Sequence, residues 1–208
     1  MPDPSGGAPE VFTSTELRWF RPGTVPFRPT SLFPLEPPAL GERPDHYLVS
    51  RDPGLGIKIR GGGDRPRLEM KVRVSSEPWV SGTDRGRREA WRKWSWVGPG
   101  FPDPLPTAGP WVTVRKRRYL WTLEWRGGTL RFVPTGTRVA MGAAMEVTGL
   151  EAGGQDAWTL GVEAFGIGDE SDAIVDRAAA LLLEATGLPV EASASFGYPT
   201  WLMGGADT

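Results

Sequence analysis

Several short segments of this chain place charged residues at alternate positions, with apolar residues between them. Two examples are LEMKVR (68–73) and GIKIR (56–60). Successive side chains of a β-strand point to opposite faces, so each segment predicts a strand with one charged and one apolar face. The charged set comprises Glu16, Arg18, Lys58, Arg60, Glu69, Lys71, Arg73, Lys116, Arg118, Glu146 and Glu163.

Two arrangements of these strands are compatible with the pattern. In an open antiparallel sheet the charged faces would simply meet water. In a closed barrel of about eight strands they would line an interior that holds side chains or one small ligand. Buried charges must then be paired with each other or with a ligand. Seven cations stand against four carboxylates in the set, and this surplus of three favours an anionic guest if all of them point inward.

Composition excludes several classes of function. The 24 basic and 25 acidic residues nearly balance, which argues against a general surface for nucleic acid or anionic membranes. No cysteine and only one histidine, His46, are present, so thiolate zinc sites and two-histidine sites are excluded. The N-terminal residues lack a signal-peptide pattern, and no apolar run approaches roughly 20 residues. We therefore expect a cytoplasmic protein with no membrane partner and no nucleic-acid partner.

The distribution of glycine and proline predicts short strands joined by turns. The resulting fold class is mainly β (α+β), an antiparallel closed or strongly curved barrel of about eight strands with two helices packed outside. The helices are predicted over residues 84–96, which carry basic and aromatic residues, and over residues 171–185, which carry an apolar stripe. Residues 21–44 contain seven prolines and are predicted as a long loop, and residues 61–63 as a hairpin turn. Residues 1–12 are predicted as a disordered tail and residues 13–203 as one domain.

The order of the charged motifs resembles that of the CYTH superfamily, the triphosphate tunnel metalloenzymes. The motifs are ELR (16–18), LGIKIR (55–60), LEMK (68–71), RKRRY (115–119), MEV (145–147) and GVE (161–163). The resemblance extends over about residues 13–187 and is also to an uncharacterised bacterial CYTH-like group. It implies eight antiparallel strands around a charged tunnel, in which basic residues hold a triphosphate and glutamates hold Mg²⁺ or Mn²⁺.

The family's residue roles carry over to most of the charged set. The predicted ligand-binding residues are Arg18, Lys58, Arg60, Lys71, Arg73, Lys116 and Arg118, of which Lys58, Arg60, Lys71, Lys116 and Arg118 match basic positions of the family. The implied metal ligands are Glu16, Glu69, Glu146 and Glu163. The first-strand signature Glu-x-Glu-x-Lys differs here, because Arg18 replaces the second glutamate and Phe20 the lysine. The phosphate half of the site is therefore better kept than the metal half.

Two functions follow as expectations. The first is binding of a small phosphorylated molecule, tri- or polyphosphate-bearing, in a charged barrel tunnel, with metal-dependent phosphoanhydride hydrolysis weak or absent. The second is a non-catalytic β-barrel that binds a ligand or a protein, with its interior charges paired among themselves. Both functions depend on whether the charged faces point into a barrel or toward water.

Overall fold

A computed structural model describes residues 8–35, 40–60, 66–97, 109–166 and 169–204. Within them lie nine strands and two α-helices. The strands are β1 (Glu10–Pro22), β2 (Leu40–Leu48), β3 (Leu55–Arg60), β4 (Arg67–Ser81), β5 (Asp84–Val97), β6 (Trp111–Arg126), β7 (Thr129–Val133), β8 (Gly142–Ala152) and β9 (Gln155–Phe165). The helices are α1 (Ser171–Thr186) and α2 (Tyr198–Gly204). No helix in these ranges is both long and apolar enough to cross a membrane.

Eight of the strands close into an antiparallel barrel. The order around it is β2-β3-β4-β5-β1-β9-β8-β6, and β2 pairs with β6 to complete the ring. Strand β7 lies outside the ring as a neighbour of β6. The predicted fold class is therefore confirmed: an antiparallel barrel with helices outside its wall and at its end.

The apolar faces of the strands point outward and are covered by α1. Leu17 and Trp19 of β1 are completely buried, and they belong to one cluster with Ile174, Val175 and Ala178 of α1. The same cluster includes Met145, Val147, Leu160 and Val162 of β8 and β9. Helix α1 ends at Gly187, which adopts a left-handed conformation (φ 63°) that glycine accommodates without strain. The main hydrophobic core thus lies outside the barrel wall, which leaves the inward faces to polar groups.

A second, smaller apolar cluster fills one end of the barrel. Phe20, at the end of β1, has the same inward direction as Arg18, and its ring stacks on Phe196 and on Trp201 of α2 (ring centroids 5.0 and 5.4 Å apart). Helix α2 also contributes Tyr198 and Leu202 to this cluster. The C-terminal aromatic residues thus pack on the barrel and close this end of it.

The predicted helix over residues 84–96 is wrong. Residues 84–97 form β5, which pairs along its length with β4 and with the N-terminal half of β1. Trp91 and Trp94 have a helix-like spacing of three, and the segment is rich in arginine, which favours helices. Pairing with strands on both sides overrides this local preference, because the barrel closes only if β5 joins β4 to β1.

Two strand starts also differ from the sequence prediction. Strand β1 starts at Glu10, inside the predicted tail, and β2 starts at Leu40, inside the predicted loop. Strand β2 accommodates Pro44 next to a register shift between Leu40 and Arg43, where its pairing with β6 is irregular. The predicted turn at 61–63 and residues 1–7 lie outside the described residues.

Candidate functional site in the charged interior

The inward faces of the barrel enclose a cavity of about 240 Å³, room for roughly eight water molecules. Ten of the eleven predicted charged residues line it, and they come from β1, β3, β4, β6, β8 and β9. They are Glu16, Arg18, Lys58, Arg60, Glu69, Lys71, Lys116, Arg118, Glu146 and Glu163. Of the two arrangements compatible with the sequence, these ten residues have the one in which the charged faces point into a barrel.

Arg73 is the exception. It points toward the closed end of the barrel, where its guanidinium forms an ion pair with Glu89 of β5 (2.7 Å) beside the Trp91 ring. It does not line the cavity. Strand β4 carries a register irregularity immediately after Arg73, so the simple alternation of the strand ends there.

Asp45 lies behind one wall of the cavity and pairs with three cations. This carboxylate is completely buried and lies 3.0–3.4 Å from the charged groups of Arg43, Lys58 and Lys116. Burial alone would raise the pKa of Asp45, but Lys58, Lys116 and Arg43 outweigh it and hold the pKa well below its usual range. Lys116 also donates a hydrogen bond to the Tyr47 hydroxyl (2.6 Å). The charged groups of this wall neutralise one another, so they need no ligand as a partner.

Lys58 and Arg60 of β3 share Glu69 of the neighbouring β4. Lys58 lies 3.1 Å and Arg60 lies 3.4 Å from the Glu69 carboxylate. Burial would raise the pKa of Glu69, yet Lys58, Lys93 and Arg60 lower it to about 2. Glu69 is therefore ionised at neutral pH and is engaged by two cations.

Arg18 of β1 extends over the neighbouring strand β9 to reach β8. Its guanidinium pairs with Glu146, donates a hydrogen bond to Thr159 (3.1 Å) and lies over the Tyr198 ring. A Cβ atom at Gly161, the register partner of Arg18, would come within 2.8–3.0 Å of the guanidinium. Glycine at 161 therefore leaves the space in which the Arg18 guanidinium lies.

Three arginines lie near the end of the barrel opposite α2. Arg43, Arg60 and Arg118 line the cavity there, and Arg60 is 39% exposed. The pKa of Arg60 is lowered, first by burial and then by repulsion from Arg43 and Arg118, although Glu69 partly offsets this. Arg60 therefore lies in a locally cationic region, and an anion placed there would relieve the repulsion between the three arginines.

Glu16 and Glu163 face each other across β1 and β9 as register partners. Glu16 accepts hydrogen bonds from Lys71 (3.0 and 3.2 Å) and Ser14, whereas Glu163 forms no ion pair with any described residue. The pKa of Glu163 is raised by burial and by the neighbouring charge of Glu16, although Lys93 and Lys71 oppose this. Glu163 is thus the one predicted carboxylate of the cavity, among the described residues, that has no cationic partner.

Four residues with charged or phenolic side chains line the cavity but were not predicted from the sequence: Arg43, Tyr47, Lys93 and Tyr198. Arg43, Asp45 and Tyr47 alternate in the segment RPDHY, and this signal was obscured by the surrounding prolines. Lys93 lies within residues 84–96, for which the sequence predicts a helix. Tyr198 lies on α2, for which the sequence carried no inward signal beyond its aromatic content.

The cavity carries an excess of positive charge. Eight cations line it, namely the predicted Arg18, Lys58, Arg60, Lys71, Lys116 and Arg118 together with Arg43 and Lys93. Against these stand the four glutamates that line it and Asp45 beneath the wall, so the excess is three charges when all are ionised. Ion pairing within the barrel consumes only part of its basic charge.

The carboxylates do not fit a resident metal ion. Within the described ranges no three acidic or histidine side chains are grouped so that they could hold one. Glu69 and Glu146 are each engaged by two cations, and Glu16 is engaged by Lys71. The position of the second glutamate in the family signature holds Arg18. We therefore assign no step to a metal held by the protein alone.

Comparison with family models, with curated proteins and with solved structures found no match to this chain. The resemblance to the CYTH superfamily stays a prediction that rests on the order of the motifs.

Proposed function

We propose that this protein binds a small phosphorylated ligand, bearing a tri- or polyphosphate group, inside its barrel. The observation that carries the proposal is the excess of three positive charges around a cavity of about 240 Å³. Guanidinium and ammonium groups that converge from several strands suit phosphate oxygens, because each oxygen can accept more than one charge-assisted hydrogen bond. The cluster of Arg43, Arg60 and Arg118 is the expected first contact.

The proposal predicts that tripolyphosphate stabilises the protein against heat. A ligand that binds only the folded state at 100 times its Kd adds about 2.7 kcal/mol of stability. Arg60→Ala should weaken tripolyphosphate binding by about tenfold, since it removes a charge-assisted contact. Isothermal titration calorimetry and the thermal midpoint in millimolar tripolyphosphate measure both quantities.

Arg115→Ala is the matched control for Arg60→Ala. Arg115 is an exposed arginine of β6 that pairs with Glu151 on the outer surface, so its loss changes the net charge equally. Equal losses of affinity in the two variants would reduce the effect to general electrostatics. No stabilisation of the unmodified protein by tripolyphosphate, with or without Mg²⁺, would contradict the proposal itself.

The second candidate is a non-catalytic barrel whose interior charges satisfy one another. The contacts of Asp45 with three cations favour it, because they show that part of the interior is already neutral without a ligand. Such a barrel would bind its ligand or protein partner elsewhere. The tripolyphosphate titration separates the two candidates, since a self-neutralised interior would gain nothing from a polyanion.

We further propose that phosphoanhydride hydrolysis is weak or absent. Mg²⁺ or Mn²⁺ would have to arrive with the phosphate oxygens of the ligand, because Glu16, Glu69 and Glu146 are engaged by cations and no three ligating side chains group together among the described residues. We expect phosphate release from tripolyphosphate in millimolar Mg²⁺ to be slow or undetectable in a colorimetric assay. Rapid metal-dependent release by the unmodified protein would contradict this expectation.

A further inference from the structure

A second cavity adjoins the aromatic cluster at the α2 end of the barrel. It has a volume of about 390 Å³, room for roughly thirteen water molecules, and every residue that lines it is described. It shares no lining residue with the charged cavity. Helix α2 contributes to both, with Tyr198 and Pro199 lining the charged cavity and Trp201 and Leu202 lining the second one. The second cavity is therefore distinct from the charged one, although one short helix borders both.

The walls of this second cavity are mainly apolar and include three nearly parallel aromatic rings. Phe20 stacks on Phe196 and on Trp201, with interplanar angles of 10° and 17°. All three residues line the cavity, and Phe196 and Trp201 are only partly buried. Pockets of about 300–1,000 Å³ with apolar and aromatic walls are typical small-molecule sites. A planar aromatic guest would extend the existing stack, because aromatic rings gain affinity from offset-stacked and edge-to-face contacts.

The charges of the lining residues cancel. Among the residues that line the second cavity, all of them described, only Arg21 and Asp156 are charged. The Arg21 guanidinium is already engaged, since it donates a hydrogen bond to the Pro189 carbonyl oxygen and lies over the Trp158 ring. A charged guest of either sign would meet one like charge, which opposes binding. The lining therefore favours a guest without net charge.

We infer that the second cavity binds a small, neutral, planar aromatic molecule, which packs on the rings of Phe20, Phe196 and Trp201. The inference does not rest on the proposed function, because no charged residue of the barrel interior lines this cavity. An aliphatic molecule of the same size would also gain from the burial of apolar surface. It would not gain the additional energy of ring stacking, so these walls select the planar class.

Isothermal titration calorimetry with matched probes tests the ligand class. 2-Naphthol and decahydro-2-naphthol share one carbon skeleton and one hydroxyl group and differ in planarity. 2-Naphthol should bind about tenfold more tightly than the decahydro compound. 2-Naphthoate and 2-naphthylmethylamine carry opposite charges at neutral pH, and each should bind more weakly than 2-naphthol.

Two variants test the location of the site. Trp201→Ala removes one ring of the stack and should weaken 2-naphthol binding about tenfold. Ala152→Phe adds a ring to the cavity wall and should abolish 2-naphthol binding by filling the space, and it supplies the test if Trp201→Ala does not fold. Trp96→Ala is the matched control, because Trp96 is a partly buried tryptophan of β5 that does not line the cavity.

Each part of the inference has a result that would overturn it. Equal affinities for 2-naphthol and the decahydro compound, or tighter binding of either charged analogue, would overturn the ligand class. Binding of 2-naphthol that is unchanged in both Trp201→Ala and Ala152→Phe would overturn the site. Absence of 2-naphthol binding to the unmodified protein, near the solubility limit of the probe, would overturn the whole inference. These results are independent of the tripolyphosphate titration, so either proposal can fail alone.

Discussion

At the scale of single residues, the cavity is defined by which charges have partners and which do not. Arg18, Lys58, Lys71 and Lys116 all lie within ion-pair distance of a carboxylate. Glu163 is the contrasting case, because no described cation pairs with it. Its raised pKa follows from burial and from the adjacent charge of Glu16. An ionised Glu163 therefore costs folding free energy and repels an anionic ligand.

Replacing Glu163 by glutamine should stabilise the protein at alkaline pH. A carboxyl group with a raised folded-state pKa favours folding at low pH, and that contribution is lost as the pH rises through the folded pKa. Glu163→Gln should thus raise the thermal midpoint at pH 8 by roughly 3 °C, equivalent to about 1 kcal/mol. At pH 4 the midpoint should not change, because the native carboxyl is then protonated.

The same substitution should tighten tripolyphosphate binding at pH 8, since one negative charge leaves the cavity. Differential scanning fluorimetry at the two pH values and one titration provide the measurements. Glu77→Gln, on the exposed face of β4, is a control with the same chemical change and no cavity contact. A destabilised Glu163→Gln variant at pH 8 would show that Glu163 has a stabilising partner after all.

At the scale of elements, the sequence predicted the strands whose two faces differ in polarity. In β3 and in the first half of β4 apolar and charged residues alternate, so the period of two is visible in the sequence. Strand β5 has no such contrast. Glu89, Trp91, Lys93 and Ser95 share its inward register, while Arg88, Ala90, Arg92 and Trp94 share the other face. Both faces mix charged and aromatic residues, so only the pairing with β1 and β4 determines its structure.

The end of β1 illustrates what a motif alone cannot reveal. Position 20, where the family signature has lysine, holds a phenylalanine that stacks on Phe196 and Trp201. From the sequence this is a lost phosphate contact. In the structure it is part of the aromatic cluster that closes the barrel, a role that depends on α2, more than 170 residues further along the chain. Contacts at such separation have no local signature.

At the scale of the whole molecule, the barrel reverses the usual placement of polar and apolar groups. Its hydrophobic core lies between the outer wall and α1, and its interior is a network of buried ion pairs. Removing one member of such a network leaves an uncompensated charge, which is strongly destabilising, even though the intact pair contributes little. The free energy of unfolding should therefore change with pH as the carboxylates of this network gain or lose protons.

The network predicts a steep loss of stability in acid. Burial would raise the pKa values of Glu69 and Glu146, but nearby cations lower both to about 2. These cations are Lys58, Lys93 and Arg60 around Glu69, and Arg18 and Arg118 around Glu146. A carboxyl group whose pKa is lowered in the folded state stabilises the fold at pH values above its unfolded-state pKa, near 4.5. This stabilisation is lost as the pH falls toward the folded-state pKa of about 2. Each carboxylate can contribute on the order of 3 kcal/mol.

Urea unfolding at a series of pH values tests whether these carboxylates cause the loss. Glu69→Gln should be less stable than the unmodified protein at pH 7, because Lys58 and Arg60 lose their shared partner. The difference should shrink as the pH approaches 2, where Glu69 itself becomes protonated and the two proteins become equivalent at that position. A constant difference across the pH range would instead indicate that Glu69 stabilises the barrel by packing, so the ionised interior would not be what acid disrupts.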